Sequence, residues 1–125
     1  MIINFINQIK NGYSQKFSKI IIHNFKIIKF ILLILFKFGY IQGFSIMNKT
    51  KLCVFLKTTN KTILYFKYVS KLSKRVYFTC KYLKYLMQYQ KYNSFIWIIS
   101  TSKGIMSHDQ ALLNNLGGEI LYYLK

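Results

Sequence analysis

Residues 95–124 read FIWIISTSKGIMSHDQALLNNLGGEILYYL, and their alternation of patterns decides the fold class. Phe95 to Ile99 is an unbroken apolar run, short enough for a buried strand. Three hydroxyl residues follow, then Lys103 and Gly104, the composition of a turn. Ser107 to Leu113 has helical spacing, and Glu119 to Leu124 closes the chain as a strand. Simple period-two alternation puts Glu119, Leu121 and Tyr123 on one face of that strand and Ile120, Tyr122 and Leu124 on the other. Strand, turn, helix and strand within thirty residues predict a mixed α/β (α+β) protein.

The same alternation continues upstream. Ile2, Phe5, Ile6 and Ile9 recur at helical intervals over residues 2–10, and Asn11-Gly12 supplies a stop signal. Phe17 to Ile22 reads as a short strand. Asn24 is placed to cap a second helix with Ile27, Ile28, Ile31, Ile34 and Leu35 on its apolar side, and Gly39 ends it. Tyr40–Met47, Lys51–Lys57 and Thr62–Val69 are rich in strand formers, with turn residues between them. A polar, basic connection at residues 70–75 leads to a short strand at 76–78 and a helix at 81–88. The predicted organisation is two small, closely packed α/β subdomains: residues 1–70, and residues 71–125 as the recognition part.

The 125 residues include 19 Lys and Arg against two acids, a formal net charge of +17, while 53% are hydrophobic. There is enough apolar material for a real interior, yet the compact chain repels itself unless a polyanion lies against it. Nucleic-acid phosphate is the natural candidate, because its neutralisation releases condensed counterions. Pro is absent, and Ala111 and Arg75 are the single residues of their types. That skew has the stamp of an AT-rich coding genome, as in organelles or reduced bacteria.

Other classes fit less well. The longest apolar stretch, Phe30 to Phe36, is shorter than the ~18 residues a spanning helix needs, and lysines bracket it. A small basic membrane-associated protein, built on Ile20 to Phe38, is the alternative reading. Cys53 and Cys80 have no metal-ligand spacing and read as small buried hydrophobes. His23 and His108 stand apart from each other and from any acid pair. No metal, cofactor or small-molecule substrate is expected, and with no acid–base pair to assemble, no catalytic residue. No targeting segment precedes the first motif, consistent with synthesis in the compartment where the protein works.

Ser100-Thr101-Ser102-Lys103-Gly104-Ile105-Met106, followed by Gly117-Gly118-Glu119-Ile120, resembles the two closing signatures of the small-subunit ribosomal protein S8 family. Ile9-Lys10-Asn11-Gly12 is similar to the end of that family's first helix. Gly39-Tyr40-Ile41 with Phe44 is similar to the turn after its second. The matches run in order along essentially the whole chain. They depart in the connecting loop, where Ser70-Lys71-Leu72-Ser73 stands for the family's Ser-Arg-Pro-Gly, and at His108, which stands for an Asp.

The resemblance implies a structural protein of the small ribosomal subunit that binds the central domain of its rRNA and contacts neighbouring small-subunit proteins. With the coding skew, it implies a mitochondrial ribosome in the matrix ahead of a plastid or reduced bacterium. Taken alone, the hydroxyls of Ser100, Thr101 and Ser102 serve either the local backbone or an RNA minor groove. The charge and the resemblance together favour RNA. Lys103 adds a phosphate-directed charge, Gly104 permits close backbone approach, and Ser107 at a helix start offers N–H groups to an anion. Glu119, one of two acids, can accept from base N–H groups; its bland alternative is a salt bridge to a nearby Lys. Tyr123 is expected to stack on the surface Glu119 faces. Lys26, Lys29, Lys57, Lys71, Lys74 and Arg75, with Tyr77 in the basic-aromatic strand, are expected to position phosphates. The recurring Tyr82, Tyr85, Tyr89 and Tyr92, interleaved with lysines, are read as a helix flank packed on a sheet rather than a stacking surface.

Overall fold

The computed structural model describes residues 2–57, 63, 65–89 and 94–125. The chain divides into two compact units, Met1–Ile63 and Leu64–Lys125. The sequence reading put the division at 70/71, but Phe66–Tyr68 pairs within the second unit. The rest of the stretch read as a strand from Thr62 includes positions outside the described residues.

In the first unit, helix α1 (Ile2–Ser14) buries Phe5, Ile6, Ile9 and Gly12. Gly12, read as a stop, lies inside the helix. A Cβ there would come within 2.6 Å of Leu56 Cδ1 and 3.0 Å of Ile20 Cγ2, so glycine serves close packing of the helix on those two side chains. The stop comes four residues later, at Lys16. Lys16 takes φ +56°, its N–H donates to Tyr13 O, and the Phe17 N–H donates to Gly12 O. These are the paired bonds of a Schellman ending.

Helix α2 (Lys26–Lys37) has Phe25 at its N-cap without a side-chain cap. Asn24, expected to cap it, instead donates through Nδ2 to Lys49 O at 3.0 Å. Gly39, at φ +78°, ends α2 as the sequence predicts: Gly39 N–H donates to Phe36 O and Tyr40 N–H to Leu35 O. Strands β1 (Lys19–His23), β2 (Ile41–Ile46) and β3 (Lys51–Leu56) form an antiparallel sheet in the order β1-β3-β2. Central β3 buries Leu52, Cys53, Val54 and Leu56. Among the described residues, no helix is long and apolar enough to cross a membrane.

The second unit contains β4 (Phe66–Tyr68), β5 (Tyr77–Phe78), α3 (Cys80–Met87), β6 (Ile96–Thr101), β7 (Gly104–Ser107), α4 (His108–Leu113) and β8 (Gly118–Leu124). The sheet order is β4-β8-β6-β7, and β5 also pairs with β8. Sequence reading missed β7, whose four residues are too few for a periodicity signal. The core joins Leu83 of α3, Trp97 and Ile99 of β6, Met106 of β7, Ala111 of α4 and Ile120 of β8. Cys80, read as buried, is only half-buried at the start of α3. Thr79 caps that helix, its Oγ1 accepting from Tyr82 N–H at 3.2 Å.

A bulge governs how β8 faces its neighbours. The register with β6 runs Trp97↔Tyr123 and Ile98↔Tyr122, then jumps to Ile99↔Ile120 and Ser100↔Glu119. Leu121 is the extra residue, and it breaks the period-two alternation. Tyr123 therefore projects with Trp97, Ile99 and Ile120 toward the helices, away from the face of Glu119.

Candidate nucleic-acid interface

Directly opposed residues of antiparallel strands project to the same face. Tyr77↔Glu119, Glu119↔Ser100 and Ser100↔Ile105 are successive opposed pairs, so one row crosses β5, β8, β6 and β7. The hydroxyl of Ser100 and the carboxylate of Glu119 are thus lateral neighbours, which sequence spacing of nineteen residues does not disclose. Their closeness depends on Gly118. A Cβ at that position would stand 2.2 Å from the Ser100 carbonyl oxygen, and one at Gly117 would stand 2.6 Å from that of Phe78. Two consecutive glycines opening a strand are the sequence signal for such an approach.

Ser102 and Lys103 form the tip of the β6–β7 hairpin, with Thr101 opposite Gly104. Gly104 has φ +110° and open space where a Cβ would go. Thr101 spends its hydroxyl on the turn: Oγ1 donates to Gly104 O at 2.9 Å and accepts from Lys103 N–H at 3.3 Å. For this one residue the local-backbone alternative describes the geometry. The hydroxyls of Ser100 and Ser102 have no hydrogen-bond partner among the described residues, and Ser102 and Lys103 are exposed.

The basic loop before β5 is a tight turn. Lys71 and Lys74 exchange backbone hydrogen bonds of 2.9 and 3.0 Å, with Leu72 and Ser73 at the tip. Buried Ser70 anchors it: its hydroxyl donates to Ile120 O at 2.6 Å and accepts from Val76 N–H at 3.1 Å. Val69 N–H reaches Leu121 O, and Ile120 N–H reaches Val76 O. Consequently β4 and β5 are two pieces of one edge along β8, and Lys71, Lys74 and Arg75 are thrown outward between them, all exposed.

Arg75 has its pKa pushed up, first by a side-chain hydrogen bond with Tyr77 and then by the charge of Glu119. Glu119 itself forms no ion pair among the described residues. Tyr122, on the Glu119 face, has its phenol pushed up to about 12 by burial, then by Tyr68 and Glu119. Sequence reading missed Ser70, Tyr68 and Tyr122. Nothing in a basic loop marks Ser70, and the bulge that exchanges Tyr122 for Tyr123 leaves no periodic trace.

Two expected site residues, Tyr123 and Ser107, lie differently. Tyr123 stacks on Trp97 at 4.9 Å between centroids and meets Phe95 edge-on at 5.2 Å. Ser107 is the N-cap of α4, but it is fully buried and its hydroxyl has no partner among the described residues. It offers nothing at the surface, because β7 delivers it opposite buried Ile98. His108, read as apart from any acid pair, places Nε2 2.9 Å from Oδ1 of the single acid Asp109, while its Nδ1 accepts from Trp97 N–H at 3.2 Å. The ring continues the β6 ladder one rung past β7. Lys26, Lys29 and Lys57 belong to the first unit; Lys26 is exposed and the other two are half-buried.

Two small units of sheet and helix with this excess of lysine define a class: small, strongly basic α+β proteins. The sequence profile described as "Ribosomal protein S8" matches residues 1–124. The chain is 32% identical to the small ribosomal subunit protein uS8m of Acanthamoeba castellanii, over 94% of this chain and 93% of that one. It is 36% identical to uS8 of Ureaplasma parvum, over 95% and 92%. It is 35% identical to uS8 of Ehrlichia canis, over 96% and 92%. The chain belongs to the ribosomal protein S8 family.

Proposed function

We propose that this chain is a structural constituent of the small ribosomal subunit, binding the central domain of small-subunit rRNA and helping it fold and assemble. The row Tyr77–Glu119–Ser100, continuous with the Ser102-Lys103 tip, is the observation that carries the reading. Free hydroxyls both donate to and accept from 2′-hydroxyls and base edges, as the wide minor groove of RNA requires. The carboxylate beside them, without an ion pair among the described residues, accepts from base N–H groups and is repelled by phosphate, so it favours particular bases while weakening indiscriminate binding. Lys71, Lys74, Arg75 and Lys103 supply positioning contacts to phosphate.

The resemblance to a mitochondrial relative and the AT-rich coding skew support a mitochondrial ribosome as the place of work. Neighbouring small-subunit proteins are the further partners, and no small-molecule substrate enters. The test compares binding of the cognate rRNA helix with binding of a generic RNA duplex. Ser102→Ala and Glu119→Ala each reduce the preference for the cognate helix by about 1–3 kcal/mol, the worth of a specific base contact. Equal losses on both RNAs overturn the assignment of these residues.

A further inference from the structure

The face of α3 turned away from the core, together with the turn that follows it, holds an aromatic strip that the interface above does not use. Leu83 and Leu86 point inward, while Tyr82, Tyr85 and Tyr89 are 44%, 51% and 48% exposed. Their recurrence at three and four residues was read as packing on the sheet, and the structure puts that periodicity on the outside. Tyr92, the fourth of the series, lies outside the described residues.

The strip is built rather than merely exposed. Tyr82 meets Phe78 edge-on at 4.7 Å between centroids and lies nearly parallel to Tyr85 at 6.3 Å. Tyr85 and Tyr89 are perpendicular at 5.4 Å, and their hydroxyls share a hydrogen bond of 2.7 Å. Thr79, Lys81, Tyr82 and Tyr85 line a shallow open depression of about 300 Å3. Lys84 lies on the same helix, its Nζ donating to Asn115 Oδ1 at 3.2 Å.

We propose that this strip is a second RNA surface, on which unpaired bases of a single-stranded segment stack while Lys81 and Lys84 meet the phosphates. Charge complementarity selects this occupant. The helix carries two lysines and no acid, the chain has only two acids in all, and exposed ring faces accept any base. A protein partner needs acidic side chains to match the same lysines and gains nothing from the open π-faces that a methylene surface would not give. The surface is distinct from the Ser100–Glu119 row and reads no sequence.

The full-length protein is titrated with a labelled single-stranded oligouridylate and, separately, with the cognate rRNA helix. Tyr82→Leu with Tyr85→Leu keeps helix propensity and apolar area but removes the rings. It weakens oligouridylate binding by about 5- to 100-fold, the range for losing one stacked base, and leaves the cognate helix within about twofold. The phenylalanine pair, Tyr82→Phe with Tyr85→Phe, binds like the unaltered protein, and circular dichroism melts check that both variants fold. Unchanged oligouridylate binding by the leucine pair overturns the proposal. So does crosslinking of Tyr82 and Tyr85 to a protein rather than to RNA in assembled small subunits. Ser102→Ala tests the other surface alone, because it alters cognate preference without touching oligouridylate affinity.

Discussion

At Gly118 one hydrogen atom decides whether two strands meet. The Ser100 carbonyl comes so near that a methyl group would stand 2.2 Å from it, and backbone cannot rotate out of the way as a side chain can. Gly118→Ala therefore pries β6 from β8 at the point where Ser100 and Glu119 lie abreast. The expected loss is about 1–3 kcal/mol, as for other overpacked sites, read from the midpoint of urea unfolding. Gly104→Ala is the contrasting case: its Cβ meets nothing, and only the left-handed φ resists it. Unchanged stability of Gly118→Ala overturns this account of why glycine stands there. The roles of single residues were the least legible part of the sequence. The paired glycines announced a tight approach, but Thr101, Ser107 and Tyr123 are ordinary surface-capable side chains whose commitments depend on partners brought from elsewhere in the chain.

Among the elements, the excursion between β4 and β5 shows how a local segment borrows its shape from a neighbour. It has neither Pro nor Gly to fix a turn, and its order comes from Ser70, whose hydroxyl ties Val76 to the carbonyl of Ile120. Ser70→Ala leaves Val76 N–H and Ile120 O each short of this bond in a buried setting. It costs about 1–3 kcal/mol by that reasoning and loosens the Lys71–Lys74 turn. Amide hydrogen exchange at Lys71, Lys74 and Val76 measures the loosening; unchanged protection there refutes the anchor. Helices and long strands were legible because their apolar periods are strong: α2, β3 and β8 lie close to where the residues placed them. The bulge at Leu121 was not legible, since one inserted residue has no compositional mark, and with it went the facing of Tyr122 and Tyr123. The helical period was correctly seen for Tyr82 and Tyr85, yet a period says which residues share a face and not which face is buried.

For the whole molecule, charge is the dominant quantity. A net +17 on 125 residues makes association with RNA a matter of counterion release, whatever else specifies it. With about six phosphates engaged, the logarithm of the binding constant falls with the logarithm of salt at a slope of roughly −4 to −5. A titration from low to high potassium chloride gives that slope directly; a flat dependence contradicts phosphate as the principal partner. The Ser102→Ala variant keeps the slope, because a hydroxyl displaces no counterion, whereas Lys71→Ala with Lys74→Ala lowers its magnitude by roughly one per lost contact. This global property was fully legible in the sequence, since composition needs no fold to be counted.

The two-piece border of the second sheet has a consequence for the protein before it finds its place. A border strand interrupted after three residues by an outward loop of cations, and resumed for only two, offers no template on which another copy could lay a strand. Freshly made molecules are thus expected not to zip together along that margin, and the loop that keeps them apart is the one proposed above to meet phosphate.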